Sequence, residues 1–111
     1  MMNIVDVDPI GAMGVVSGSG AILLDVREDD EWVAGHAPGA VHVRLGDLDT
    51  HVFDTITPIV AVCRSGGRSR SAATKLAAAG VTVYNLAGGM TAWQKTGQPV
   101  IRDDGTAGTV I

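Results

Sequence analysis

The chain has 111 residues, which predicts one domain built around one core. Its formal net charge of −4 and its pI near 5.1 argue against a nucleic-acid or anionic-membrane surface. No apolar stretch approaches the roughly 20 residues of a membrane-spanning helix, and residues 1–20 lack the pattern of a secretory signal. The single cysteine, Cys63, cannot form an internal disulfide. We therefore expect a soluble, cytoplasmic protein with no membrane or nucleic-acid partner.

The first half of the chain alternates between strand and helix patterns. Asp8-Pro9 is typical of a helix start, with Asp as N-cap and Pro at the first helical position. An apolar run broken only by Asp25 predicts a buried parallel strand. The carboxylates of residues 28–31 suit the first turn of a helix, where the dipole favours negative charge, and Trp32 and Val33 are its expected core contacts. In order, the predicted elements are an edge strand at 4–5, a helix at 9–16, a strand at 21–26, a helix beginning near 28 and a strand at 40–43.

The second half continues the alternation after residues 44–58, which carry few signals. The expected core anchors of that segment are Leu45, Leu48, Val52 and Phe53. The further elements are a strand at 59–62, an alanine-faced helix at 70–79 closed by Gly80, a strand at 81–86 and a helix at 90–96 with Trp93 inward. We expect a domain at 1–100 and a C-terminal tail at 101–111 that has little to pack and is open to disorder. Together these elements predict an α/β fold with a mostly parallel central sheet flanked by helices on both faces.

The sequence around Cys63 is the most informative part of the chain. The thiol follows a predicted strand directly, and the glycine-containing run Cys63-Arg64-Ser65-Gly66-Gly67-Arg68-Ser69 leads into a helix. Sites in parallel sheets lie beyond the carboxyl ends of the strands. Backbone N–H groups in such a loop, next to a helix N-terminus, stabilise negative charge. We therefore expect a thiol of lowered pKa that reacts as the thiolate.

Arginine is concentrated beside this thiol. Three of the six arginines, Arg64, Arg68 and Arg70, lie within seven residues. An acidic chain that gathers its arginines there is expected to receive a small anion. Arg64 and Arg68 are the candidate ligands, and Arg70 fits a solvated helix face.

Three motifs resemble the rhodanese family of single-domain sulfurtransferases. The first joins Leu24-Asp25-Val26-Arg27-Glu28 to Gly35-His36-Ala37-Pro38-Gly39-Ala40, the second is the cysteine loop at residues 63–69, and the third is Leu86-Ala87-Gly88-Gly89-Met90 with Trp93, Gly97 and Pro99. They occur in family order and at family spacing, over about residues 4–100. One departure is Ala37, where a larger aliphatic residue is commoner in the family. Ala37 lies in a turn, so this departure affects the expected fold and activity little.

The resemblance implies a rhodanese-like fold and a reaction. In that reaction Cys63 takes the outer sulfur of a small anionic donor such as thiosulfate, and a persulfide forms. A thiophilic acceptor (cyanide, a thiol or a protein) then removes the sulfur. The resemblance also implies which loop binds the anion, and Arg68, at the family's arginine position, is its favoured ligand. The loop consists of Arg64, Ser65, Gly66, Gly67, Arg68 and Ser69. No metal or cofactor is expected, because His36, His42 and His51 with one cysteine lack the spacing of a zinc site.

The neighbouring polar residues favour structural roles. His36, alone in a turn, is expected to be a structural hydrogen-bond partner rather than a general base. Asp25 and Arg27 are expected to form buried or half-buried contacts that brace the sheet end. Catalysis by Asp25 is disfavoured, because a carboxylate near a thiolate would raise the thiol pKa.

Two other functions stay open. A cysteine phosphatase or arsenate reductase also uses a thiolate in an anion-binding loop, but its loop has five residues between Cys and Arg. Four residues separate Cys63 from Arg68, which favours a sulfane sulfur over a tetrahedral phosphate. A non-catalytic rhodanese-like binding or regulatory module is the other alternative. Such modules commonly lack the cysteine that this chain retains.

Overall fold

The computed structural model describes residues 4–111 and contains a five-stranded sheet with helices on both faces. The sheet has the strand order β1-β5-β4-β2-β3, and all its strand pairs are parallel. The strands are β1 (Ile4–Val7), β2 (Ile22–Asp25), β3 (Val41–His42), β4 (Ile59–Val62) and β5 (Val83–Leu86). The helices are α1 (Pro9–Ser19), α2 (Asp29–Ala34), α3 (Gly67–Ala78) and α4 (Gly89–Lys95). The α/β prediction with a parallel sheet is confirmed.

The core consists of two apolar layers, one on each face of the sheet. On one face, Ala72, Ala73 and Leu76 of α3 pack against β2, β4 and β5. On the other, Ala12 of α1 and Trp93 of α4 pack against the same sheet. Strand β4 is buried along its whole length because it is covered from both sides. The small alanine side chains of α3 let that helix approach the sheet closely.

Two helix ends differ from the sequence expectation by three residues each. Helix α1 continues to Ser19 rather than stopping at Val16, because Ser19 Oγ bonds to the Val15 carbonyl and Gly20 closes the helix in the left-handed region at φ 68°. Helix α3 begins at Gly67, three residues before the expected start, so most of the predicted cysteine loop belongs to the helix or its N-cap.

Two expected core contacts are wrong. Val33 and Val52 are both exposed, whereas Leu45, Leu48 and Phe53 do pack against the core. Val33 is on the outer side of the six-residue helix α2, and Val52 is on a one-turn 3₁₀ helix, Thr50–Val52, at the surface. A short helix contacts the core through one face only, so the side chains on its other faces stay exposed.

The C-terminal residues pack against the domain. Ile101 pairs in antiparallel fashion with His36, and Thr109 N–H donates to the Ala34 carbonyl at 2.9 Å. Val110 packs beside the core layer that contains Trp93. Most side chains of residues 101–111 are exposed, but the backbone of this tail pairs with residues in and just after α2, which sequence patterns do not reveal. A domain boundary at residue 100 stays a prediction.

Within the described residues 4–111, the structure has no helix long and apolar enough to cross a membrane.

Candidate active site

Cys63 lies directly after β4 at the carboxyl edge of the sheet, as its sequence position predicts. Its side chain is almost fully buried, and the thiol is free. The Gly66 N–H donates to Cys63 Sγ at 3.0 Å. Gly66 makes this bond as the N-cap of α3, with φ 113°, a backbone conformation that favours glycine. The loop thus turns a backbone donor toward the sulfur at the point where the helix begins.

The surroundings of the sulfur favour its anion. Burial is the largest single influence on the pKa of Cys63 and raises it. A Ser69 hydroxyl that donates its proton to the sulfur, and the N–H groups of Ser69, Gly66 and Ser65, lower that pKa by more in sum. The net result is a pKa below the ordinary value for cysteine. Ser69 Oγ lies 3.4 Å from Sγ and is itself buried. These donors are neutral, so a thiolate here meets hydrogen-bond donors rather than a charged partner.

Helix α4 supports the cysteine loop from behind. The Met90 N–H donates to the Cys63 carbonyl at 2.8 Å, and the Thr91 N–H donates to the Arg64 carbonyl at 3.0 Å. A Cβ on Gly89 would lie 2.3 Å from the Cys63 carbonyl oxygen, so only glycine permits this approach. The first turn of α4 therefore satisfies two loop carbonyls and fixes the direction of the loop.

The arginines beside Cys63 have different partners. Arg68 forms a two-pronged ion pair with Glu31, with bonds of 2.6 and 2.8 Å. This pair lowers the pKa of Glu31 to about 2. Arg64 is exposed, and Arg70 pairs with Asp6 at the protein surface. Arg68 therefore lies in the loop as expected, but its guanidinium is already bound to a carboxylate.

The predicted loop residues divide into two groups. Ser65, Gly66 and Ser69 provide hydrogen bonds that act on the sulfur, whereas Gly67 opens α3 and the side chains of Arg64 and Arg68 have other surroundings. The assignment of Cys63 as nucleophile and of residues 64–69 as the anion site stays a prediction at this point.

The end of β2 contains a closed ion pair. Arg27 Nη2 lies 2.8 Å from Asp25 Oδ2, and both side chains are fully buried. Arg27 also donates to the Gly35 carbonyl at 2.7 Å. The expected brace at this sheet end is therefore present.

His36 also has the expected structural surroundings. It is buried, and its Nδ1 lies 2.9 Å from the Trp32 carbonyl. Its ring stacks on Trp32 with centroids 3.6 Å apart.

Sequence reasoning missed three parts of the site: Glu31 as the partner of Arg68, Asn85 beside Ser69, and the support from α4. Glu31 was assigned only to a helix N-terminus. Asn85 had a visible signal, a lone amide inside an otherwise apolar strand, and it is buried with its Oδ1 2.5 Å from Ser69 Oγ. Gly88-Gly89 before a helix was the signal for the close approach of α4.

Comparisons with known proteins agree with this geometry. The family model described as a rhodanese-like domain matches residues 14–96. The chain is 35% identical over 104 residues to the thiosulfate sulfurtransferase GlpE of Actinobacillus succinogenes, which covers 89% of this chain and 92% of that protein. It is 37% identical over 82 residues to GlpE of Ectopseudomonas mendocina, which covers 70% and 74%. The fold is similar to that of a rhodanese-related protein from Thermoplasma volcanium, with a TM-score of 0.79 at 21% identity, covering 87% of this chain and 97% of that one.

Proposed function

Because this chain belongs to the rhodanese family, we propose that it is a sulfurtransferase in which Cys63 carries the sulfur. The donor is a small anion with a sulfane sulfur, such as thiosulfate, and the acceptor is cyanide, a thiol or a protein. Two relatives that match over two thirds or more of the chain bear the name thiosulfate sulfurtransferase. That name supports the donor class for this chain.

The reaction has two displacements at sulfur. The Cys63 thiolate attacks the outer sulfur of thiosulfate, the sulfur–sulfur bond of the donor breaks, and its electron pair leaves with sulfite. Cys63 then holds a persulfide whose terminal sulfur is anionic. An acceptor attacks that terminal sulfur and forms thiocyanate, when the acceptor is cyanide, and the bonding pair returns to Cys63 as the thiolate.

The observation that carries the proposal is the ring of neutral donors at Cys63 Sγ. The Gly66 N–H, at 3.0 Å, lies where β4 meets α3 and favours a negative sulfur. Backbone N–H groups at a helix N-terminus stabilise the thiolate, which is the nucleophilic form of cysteine. The same donors suit a persulfide anion that replaces the thiolate.

The donor anion is proposed to meet Arg64 and Arg68 at the opening of the loop. Arg64 is exposed beside Cys63 and has its guanidinium available. Arg68 is close enough for the Cys63 charge to act on its pKa, but Glu31 already binds it. Arg68 therefore contributes positive charge that Glu31 partly offsets, and Arg64 is the better direct contact for an incoming oxyanion.

Mass measurement of the intermediate tests the proposal. Incubation with thiosulfate and no acceptor should add one sulfur atom to the intact protein, and cyanide should remove it with formation of thiocyanate. The Cys63→Ser variant should gain no sulfur, and its rate of thiosulfate turnover should be lower by at least about a thousandfold. A folded wild-type protein that forms no adduct and turns over no thiosulfate would favour the binding-module alternative. Efficient hydrolysis of an aryl phosphate would favour a phosphatase.

A further inference from the structure

The Ser69 hydroxyl has more neighbours than its single proton can serve. Ser69 Oγ lies 2.5 Å from Asn85 Oδ1, 3.2 Å from the Gly66 carbonyl oxygen and 3.4 Å from Cys63 Sγ. Ser69 and Cys63 are buried, and Asn85 is nearly so. A hydroxyl donates one hydrogen bond, so these acceptors compete for the same proton.

The orientation of the Asn85 amide is set from its other side. Asn85 Nδ2 lies 3.1 Å from Asp6 Oδ1 and 3.4 Å from the Gly66 carbonyl oxygen, and both of these oxygens are acceptors. A reversed amide would place Oδ1 against two acceptors, the Asp6 carboxylate and the Gly66 carbonyl, and would lose both hydrogen bonds that Nδ2 makes to them. Nδ2 therefore faces Asp6, and Oδ1 faces Ser69.

That orientation determines where the hydroxyl proton goes. Asn85 Oδ1 has no hydrogen, so an oxygen pair only 2.5 Å apart requires the Ser69 proton between the two atoms. The alternative contact, from Ser69 Oγ to the sulfur, is 0.9 Å longer. The Ser69 oxygen then turns a lone pair toward Cys63 Sγ. That oxygen can accept a hydrogen bond from the protonated thiol.

We propose that Asn85, oriented by Asp6, is a positioning residue that withholds the Ser69 hydroxyl proton from Cys63. The backbone N–H groups then stabilise the resting thiolate, and Ser69 turns its proton to the sulfur only when its bond to Asn85 breaks. This inference rests on the proposed role of Cys63 as nucleophile. Its test measures only the titration of the thiol, so it can fail while sulfur transfer stands.

The Ser69→Ala variant gives the first test. The rate of alkylation of Cys63 by iodoacetamide, measured against pH, reports the midpoint of the thiol titration. If Asn85 holds the proton, loss of the hydroxyl should move that midpoint by less than about half a pH unit. A rise of about one pH unit or more would show that Ser69 donates to the thiolate in the wild type, and would overturn the proposal.

The Asn85→Leu variant gives the opposite prediction. Without the competing acceptor, the Ser69 proton is free to turn to the sulfur, and the alkylation midpoint should fall by about one pH unit. The nearby charges of Asp6, Arg70 and Arg68 are unchanged in both variants.

The double variant Ser69→Ala/Asn85→Leu is the matched control. Its midpoint should equal that of Ser69→Ala, because no hydroxyl remains to turn. If the midpoint of the double variant falls as far as that of Asn85→Leu, Asn85 acts by a route that does not need the Ser69 hydroxyl, and the proposal is wrong. A rise of the midpoint in Asn85→Leu would also overturn it. If the leucine variant does not fold, as judged by circular dichroism, the Ser69→Ala result alone is decisive.

Discussion

The ends of β2 and β4 lie side by side at the same edge of the sheet, but different kinds of group stabilise a negative charge at each end. At the end of β2, the Asp25 carboxylate is fully buried and bound to the guanidinium of Arg27. At the end of β4, the Cys63 sulfur is also buried, and the hydrogen bonds that it accepts within residues 4–111 come from neutral donors, among them the Gly66 N–H. Burial is therefore common to both, and the kind of partner differs.

That difference separates a brace from a reactive group. The ion pair offsets the charge of the buried Asp25 carboxylate, and a buried charge without its partner is costly. At Cys63 neutral donors stabilise the anion instead, as the proposed nucleophile requires. Arg68 places a full positive charge next to the loop, but its guanidinium is bound to the Glu31 carboxylate. The protein thus keeps its charged pairs away from the direct coordination of the sulfur.

The strongest way to break the comparison is to remove the cation at the β2 end. Arg27→Leu leaves Asp25 buried without a partner, and the free energy of unfolding should fall by about 3–5 kcal/mol. Urea denaturation measures the change. The matched control is Arg64→Met at the exposed position beside Cys63, which should change stability by about 0.5 kcal/mol or less. Equal losses in the two variants would contradict the account of Asp25–Arg27 as a buried brace.

A substitution at Gly89 tests the loop at the β4 end. The added methyl of Gly89→Ala would meet the carbonyl oxygens of Cys63 at 2.3 Å and Arg64 at 2.5 Å, at a residue with φ 55°. Helix α4 must then move away, with a loss of about 1–3 kcal/mol in stability and a loss of thiosulfate turnover.

The control for this prediction is Gly14→Ala, in the middle of α1. No atom lies within 4 Å of the added methyl there, and the helix should gain up to about 1 kcal/mol. A Gly89→Ala protein as stable and as active as wild type would contradict the proposed support of the loop by α4.

The smallest expected effect on stability concerns Glu31. This residue of α2, which follows β2, is bound to Arg68 of α3, which follows β4. Arg68 lowers the pKa of Glu31 from 4.5 to about 2. Because the folded-state pKa lies below the unfolded one, the stabilisation is fully present above pH 4.5 and is lost as the pH falls through about 2.

The comparison to make is wild type against Glu31→Gln in urea denaturation at several pH values. The variant should be less stable near neutral pH. The difference should shrink steadily below pH 4.5, because Glu31 of the unfolded wild-type chain takes up a proton there while the folded carboxylate stays ionised down to about pH 2. The difference stays modest, because Arg68 is partly exposed to solvent. A difference independent of pH would mean that the charge of Glu31 contributes nothing.

Local patterns in the sequence were enough to predict the α/β architecture and the place of Cys63 in it. Apolar runs, the Asp8-Pro9 start and the alanine face of α3 predicted the alternation of strands and helices, because each pattern lies within one element. The place of Cys63 after a buried strand and before a helix put it at the sheet edge. The resemblance to a known family then added the expected chemistry.

Only the tertiary structure decided which groups surround that position. Glu31 and Arg68 are 37 residues apart, and Asp6 and Asn85 are 79 apart. Their contacts depend on the strand order β1-β5-β4-β2-β3, which places β1 beside β5 and β2 beside β4. The packing of the tail on His36 depends in the same way on a distant partner. A sequence pattern specifies what an element buries and where it ends, whereas the partner of a side chain is set by which elements the fold brings together.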